Sequence, residues 1–269
     1  DGVSERIHFA REVARDAGEV LRTWSDRLLT VSTKRGAVDL VTEADRASEE
    51  QIITRICNRF PEDGVLGEEG SSRTSRSGYL WVIDPLDGTT NFVHHLPHYM
   101  VSIGLSFEHV RVGAACYGPA LDEEFYAVSG KGAFQGGNRI RVSSTATLQD
   151  ALLATGFPYN RADVIDELMP PVRRCLLTAR GLRRCGSAAY DLCNVARGHL
   201  DGFFETGLKP WDTAAGALLV TEAGGILSDF GGEEYDHFMG FGQSTGRPTI
   251  VAANAHLHLP ILRQIVGDA

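Results

Sequence analysis

Asp84 and Asp87 stand three residues apart in the stretch Trp81-Val82-Ile83-Asp84-Pro85-Leu86-Asp87-Gly88-Thr89-Thr90-Asn91-Phe92. The apolar run before them, Tyr79 to Ile83, has the composition of a buried strand, and it ends in two hard oxygen ligands. Pro85 fixes its own φ and removes a ladder donor, while Gly88 lets the backbone approach a ligand closely. Thr89, Thr90 and Asn91 are residues that start helices. Carboxylates suit divalent cations, and the backbone N–H groups of a helix start suit phosphate. Taken alone, Asp-x-x-Asp-Gly also reads as an acidic turn capping a short helix. Two further acids occupy comparable positions. Glu68 ends the short apolar piece Val65-Leu66-Gly67, and Asp212 falls in the first turn of a helix opened by Pro210-Trp211. Acids at strand ends and helix starts converge at one edge of a sheet, where ligands bind. Two cations held roughly 3.5–4 Å apart need about four carboxylates, one cation activating a water and the other neutralising the leaving oxygen. An all-oxygen set without His or Cys favours Mg2+ or Mn2+ over Zn2+. The chemistry these residues point to is metal-dependent attack on a phosphate.

Competing motifs are weak. The Asp pair does not open an EF-hand loop, because position 95, where that loop needs its bidentate Glu, is His. His94, His95 and His98 have no carboxylate or Cys partner at zinc spacing, and they read as surface or packing residues. Gly130-Lys131-Gly132 lacks the phosphate-loop spacing and is followed by a strand pattern. No Gly-x-Ser-x-Gly elbow, kinase motif or reactive-cysteine signature is present. Asp45 reads by itself as a first-turn acid favoured by the helix dipole, and Glu68-Glu69 also reads as an exposed, solvated pair.

The elements that must carry these residues follow from periodicity. Ile7, Ala10, Val13, Ala14, Ala17, Val20, Leu21 and Trp24 give an amphipathic helix from Ser4 to Trp24. Leu28 to Lys34 reads as a short extended piece. Thr42 and Asp45 open a second helix with Ile52, Ile53, Ile56 and Phe60 on its inner face. Gly70 to Gly78 reads as a flexible surface loop. Met100 to Phe107, Val110 to Tyr117, Glu124 to Val128 and Gly132 to Val142 form an antiparallel meander, with a turn at Gly136-Gly137-Asn138. Val164 to Arg180 reads as a helix interrupted or started near Pro170-Pro171. A helix from Ala188 to Arg197 opens at Ser187, a strand from Asp201 ends at Glu205, and a helix runs from Pro210 to Ala223. Strands at Ile226 to Asp229 and Thr249 to Ala252, then a helix from His256 to Val266, complete the chain.

Composition sets outer limits. The 269 residues are 43% hydrophobic and 23% charged, ordinary for a globular chain with a large core. A formal net charge of -9 argues against a nucleic-acid footprint, and no direct nucleic-acid binding is expected. No apolar run spans a membrane and no secretory leader is expected. The five cysteines, Cys57, Cys116, Cys175, Cys185 and Cys193, include no Cys-x-x-Cys pair, so the expected home is a reducing cytoplasm. Arg173, Arg174, Arg180, Arg183 and Arg184 form the one basic concentration and read as a solvated face or a subunit contact.

These motifs together resemble the inositol monophosphatase family, in the superfamily that includes fructose bisphosphatase. Trp81 to Phe92 resembles the family's first signature, and Trp211-Asp212-Thr213-Ala214-Ala215-Gly216 with Glu222-Ala223-Gly224-Gly225 resembles its second. Gly67-Glu68-Glu69 and Asp39-Leu40-Val41-Thr42-Glu43-Ala44-Asp45 fit in the same order. The resemblance covers nearly the whole chain. It implies one layered αβαβα unit over 1–269, an α+β to α/β sandwich of mixed sheets covered by helices, with an N-terminal part to about 145 and a C-terminal part from about 146. It implies a homodimer, lithium sensitivity, and Mg2+-dependent hydrolysis of a phosphate monoester, with inositol 1-phosphate as the leading substrate. Two or three Mg2+ ions are implied, with Mn2+ as a substitute. Glu68, Asp84 and the Leu86 carbonyl would hold the first, Asp84, Asp87 and Asp212 the second, and a third would sit near Glu68. Asp45 and Thr89 would orient the nucleophilic water, making Asp45, Glu68 and Thr89 the catalytic set. Asp87 and the backbone of Gly88 and Thr89 would contact the phosphate, and Glu205, Ser187 and Ala188 the substrate's hydroxyls. Asp191 would join that pocket. Relatives acting on NADP+, fructose bisphosphate, histidinol phosphate or adenosine bisphosphate share the implied metal set, and some bacterial members resemble regulatory partners of the transcription machinery.

Overall fold

The helical spacing of Ile7, Ala10, Val13, Ala14, Ala17 and Leu21 produces a helix whose buried face is those six residues with Gly18. The computed structural model describes residues 2–25, 31–33, 40–235 and 247–267. Among them the helices are α1 (Gly2–Ser25), α2 (Glu43–Arg59), α3 (Thr89–Val93), α4 (Ile165–Thr178), α5 (Ala188–Ala196), α6 (Pro210–Glu222) and α7 (His258–Val266). The strands are β1 (Val31–Thr33), β2 (Leu40–Thr42), β3 (Gly64–Gly67), β4 (Ser72–Arg73), β5 (Tyr79–Asp87), β6 (Met100–Phe107), β7 (Val110–Gly118) and β8 (Glu123–Val128). They continue with β9 (Gly132–Gln135), β10 (Asn138–Arg139), β11 (Leu152–Thr155), β12 (Gly181–Arg183), β13 (Gly202–Thr206), β14 (Ile226–Ser228) and β15 (Thr249–Ala253).

The layers are αβαβα. An eight-stranded sheet in the order β10-β9-β8-β7-β6-β5-β3-β4 carries α1 and α2 on one face, and their shared core includes Trp81, Ile83, Ile52, Ile56 and Leu21. This sheet is antiparallel except where β3 lies parallel to β5. A second sheet runs β12-β11-β13-β15-β14, with β12, β11 and β13 parallel. Helices α5 and α6 lie between the two sheets, in a core that mixes Met100, Phe125, Tyr190, Leu192, Phe203 and Ile250. Helices α4 and α7 cover the outer face of the second sheet through Cys175, Phe204, Val251 and Ile261. Both faces of each sheet carry apolar side chains, and helices supply the covers that bury them.

Most anticipated elements are in place within two residues, and the exceptions have physical causes. The strand at Tyr79 does not stop at Ile83; it runs on through Pro85 to Asp87. Pro170 and Pro171 lie inside one continuous helix, where the packing of Leu168, Val172 and Cys175 outweighs the lost backbone donors. The segment Gly132 to Val142 is a hairpin ending at Arg139. Strands β11 and β12 escape periodicity: each is short, and β11 is buried on both faces, which removes the alternation that marks a strand. The loop after Gly70 contains β4 and is tied down, with Arg73 donating to the carbonyls of Phe60 and Asp63. Of the stretch Asp39 to Asp45, Asp39 lies outside the described residues, as do 28–30 and Lys34 of the expected extended piece.

Candidate metal centre

Asp84 and Asp87 are an odd number of residues apart, so a regular strand would send their side chains to opposite faces. A bulge prevents this. Asp84 pairs with Ser102 and Asp87 with Met100, so β5 advances three residues while β6 advances two. The extra residue resets the alternation, and Pro85 sits where no ladder donor is needed. Ser48 on α2 donates to the Pro85 carbonyl at 3.0 Å, pinning the bulge to the helix layer. Asp84, 1% exposed, accepts the Leu86 N–H through Oδ1 at 3.0 Å.

Asp212 arrives from far downstream on α6. Its Oδ2 accepts the Lys209 N–H at 2.6 Å, behind Pro210 at the helix start. Helix α6 can approach the sheet because Gly104 on β6 has no side chain; a Cβ there would lie 2.6 Å from that of Ala214. The result is that Asp84, Asp87 and Asp212 each offer an oxygen within 4.8 Å of the others. A second set, Asp45, Glu68 and Glu69, meets the same limit. Thr89 stands beside the second set: its hydroxyl lies 3.4 Å from Asp45 Oδ2 and 3.1 Å from the Leu86 carbonyl. Among the described residues these are the two groups of His, Cys, Asp and Glu able to hold an ion, and neither contains His94, His95 or His98.

The turn that follows depends on Gly88, whose φ of 92° is left-handed. A Cβ there would lie 2.8 Å from the His98 carbonyl, so glycine is required on both counts. Asn91 holds this turn from behind, donating to the carbonyls of His98 and Cys185 at 2.6 and 2.8 Å. Ser187 caps α5, accepting from Tyr190 N–H, and donates to Asp87 Oδ2 at 2.6 Å. The Ala189 N–H meets the same oxygen at 2.6 Å. Ser187 and Ala188 are both buried, so the Ser187 side chain is engaged with a metal-set carboxylate as well as standing beside the expected pocket.

The electrostatics are those of like charges forced together. Burial, then Glu68, Asp87, Asp212 and Asp45, push the Asp84 carboxyl well above its usual range. Burial raises Asp87 to about 6 even though Ser187 and three backbone N–H groups hold its charged form. Burial, with Asp87 and Glu68, raises Asp212, and the Lys209 N–H opposes the shift. Burial, with Asp212 and Asp191, raises Glu205, and Arg184 opposes it, which sets Glu205 beside the aspartates. Buried carboxylates at this spacing are stable as anions only with cations between them, and their oxygens match a hard divalent ion. The residues present therefore fit Mg2+.

Sequence reasoning placed Glu68, Asp84, Asp87, Asp212, Asp45 and Thr89 at one site, and the structure brings them together. It left Glu69 aside. Its side chain is only 8% exposed and faces Asp45 and Glu68. The signal was there in Gly-Glu-Glu-Gly, but which acid turns inward depends on how β3 and β5 pair. Ser48 and Gly104 were missed too, because neither has a motif.

The architecture is a layered αβαβα sandwich, and the two acid sets form an all-oxygen candidate cation centre. The model of the inositol monophosphatase family matches residues 3–266, and the chain belongs to that family. It is 42% identical over 262 residues to inositol monophosphatase 2 of Solanum lycopersicum, spanning 95% of this chain and 96% of that one. It is 44% identical over 232 residues to the Nus factor SuhB of Pseudomonas aeruginosa, spanning 84% of this chain and 86% of that one. Among solved structures, the inositol monophosphatase of Anabaena superposes with a TM-score of 0.86 at 36% identity, over 99% of this chain and 97% of that one.

Proposed function

We propose that this protein hydrolyses myo-inositol 1-phosphate to inositol and phosphate with Mg2+. The observation that carries the reading is the gathering of Asp84, Asp87 and Asp212 in one acid group and Asp45, Glu68 and Glu69 in a second, with Asp84 feeling the charges of Glu68 and Asp45. Bound Mg2+, two or three ions with Mn2+ as a substitute, would supply charge neutralisation and acidify a water. Glu68, Asp84 and the Leu86 carbonyl would hold one ion; Asp84, Asp87 and Asp212 would hold another; a third would lie near Glu68. The chain's own residues do the positioning. Thr89, within reach of Asp45, orients the attacking water and passes its proton toward the Asp45 carboxylate. The N–H groups of Gly88 and Thr89 would grip the phosphate. Phosphoryl transfer through a loose transition state asks for this placement and charge stabilisation more than for a protein nucleophile.

Glu205, with Ser187 and Ala188 nearby, would meet the substrate's hydroxyls. Burial, with Asp212 and Asp191, raises its pKa, and Arg184 opposes the shift. The same reading carries a homodimer, inhibition by lithium and a cytoplasmic setting; the five free cysteines support the last. No helix among the described residues is long and apolar enough to cross a membrane. The test is phosphate release with Mg2+ across inositol 1-phosphate, fructose 1,6-bisphosphate, NADP+, histidinol phosphate and adenosine 3′,5′-bisphosphate. The expected result is highest kcat/KM on inositol 1-phosphate; a different winner reassigns the substrate, and inactivity on all five ends the enzyme reading.

A second reading, an added role as a regulatory partner of the transcription machinery, is supported by the similarity to the Nus factor. Arg173, Arg180, Arg183 and Arg184 are exposed, Arg180 pairing with Asp150, whereas Arg174 donates to carbonyls of α7. Reversing Arg173, Arg183 and Arg184 to Glu should abolish capture of a partner from cell extract; unchanged capture, or none by the wild type, removes this reading.

A further inference from the structure

One turn beyond Asp45 on the same face of α2 stands Glu49, 3% exposed and outside both acid sets. Its carboxylate is taken up by the loop that carries Glu68 and Glu69. Oε2 accepts the Glu69 N–H at 2.9 Å. Oε1 accepts the Ser71 hydroxyl at 2.6 Å and the Ser71 N–H at 3.3 Å. A Cβ on Gly67 would come within 2.5 Å of Oε2, so the chain leaves this space to the carboxylate. The loop has two other backbone ties, Gly67 N–H to the Ser71 carbonyl at 2.8 Å and Glu68 N–H to the Ile83 carbonyl at 3.2 Å.

The loop needs holding. It presents two carboxylates within 4.8 Å of each other and of Asp45, and like charges at that range push it outward whenever no cation lies between them. Arg46 reaches Glu69 only at 4.0 Å from a largely exposed position, where an ion pair contributes little. Charge-assisted bonds from a buried carboxylate to backbone N–H groups are stronger and fix direction. We propose that Glu49 is a positioning residue of the metal centre, clamping the backbone at Glu69 and Ser71 so that Glu68 and Glu69 stay at cation-binding distance from Asp45. In this arrangement α2 serves the site twice, Asp45 facing the cation and Glu49 holding the opposite wall. The assignment rests on the metal-dependent reading above.

The test is Mn2+ affinity by calorimetry on the metal-free protein, together with thermal unfolding in EDTA and phosphate release against Mg2+ concentration. Glu49→Gln keeps the shape but turns one acceptor into a donor facing a donor. It should weaken Mn2+ binding at least tenfold and raise the half-saturating Mg2+ similarly. At saturating Mg2+ its kcat should stay within about threefold of wild type, with Tm in EDTA held within a few degrees. Ser71→Ala, which removes one of the three bonds, should weaken Mn2+ binding about threefold and keeps the test usable if the first variant does not fold. Wild-type Mn2+ affinity in both variants, or a loss of kcat that excess Mg2+ does not restore, overturns the assignment. A wild type that binds no Mn2+ overturns the metal-dependent reading with it.

Discussion

Replacing Asp84 by Asn should make the metal-free protein more stable while destroying its activity. Asp84 is buried and its carboxylate lies within 4.8 Å of oxygens from Asp87 and Asp212. At that spacing, with an effective dielectric constant near 20, each pair of full charges repels by about 3 kcal/mol. Burial raises both Asp84 and Asp87, and the neighbouring acids add to the shift at Asp84, so protonation relieves part of this repulsion. The repulsion remaining near neutral pH is on the order of 1–3 kcal/mol. The Asn carbonyl can still accept the Leu86 N–H that Asp84 Oδ1 now takes, and its amide adds a donor among carboxylates. At about 2–4 °C per kcal/mol for a chain of this size, Tm in EDTA should rise by roughly 2–12 °C. With Mg2+ at a hundred times its Kd the wild type should gain about 2.7 kcal/mol and the variant much less, closing the gap. The assay is calorimetric unfolding in EDTA and in Mg2+, with phosphate release alongside. A variant no more stable than wild type in EDTA, equally stabilised by Mg2+, or retaining more than about a tenth of wild-type activity would refute the shared-ligand geometry.

Gly88→Ala should lower Tm by several degrees and cut kcat at least tenfold, since it combines a left-handed φ, costing about 1–2 kcal/mol, with a collision at the His98 carbonyl; wild-type Tm would contradict this account of the turn. Asp191, 2% exposed, is raised to about 8, chiefly by burial, with Asp87 adding to the shift and a bond with Cys185 and the charge of Arg184 opposing it. A folded pKa above the unfolded value means its stabilising contribution is complete below about pH 4 and lost as pH rises through 8. Metal-free Asp191→Asn should therefore come close to wild type near pH 4 and exceed it by a few kcal/mol near pH 9 in urea unfolding; parallel pH profiles would rule this out.

The ingredients of the site were legible in local sequence. An apolar run ending in Asp-Pro-Leu-Asp-Gly-Thr-Thr, a Gly-Glu-Glu and a Pro-Trp-Asp helix start each announce an acid at the end of an element, because caps, turns and strand ends have residue-specific chemistry. The helices and the antiparallel meander were legible for the same reason, since periodicity reports which face is buried. Strands β11 and β12 were not: both are too short to show alternation, and β11 is buried on both faces as well.

What the chain order could not specify was convergence. Asp84 and Asp87 share a side only because β5 gains one residue on β6, and that register is a property of the pair of strands. Asp212 reaches them because Gly104 admits α6, a contact between residues 110 positions apart. Glu69 joins Asp45 and Glu68, and Glu49 serves their loop, because α2 packs beside the turn after β3. The sequence by itself determined which oxygens are available and the ion class they suit. Only the tertiary structure decided which of them meet, because like charges are brought within 4.8 Å by the packing of strands and helices against one another, a force that no local stretch carries.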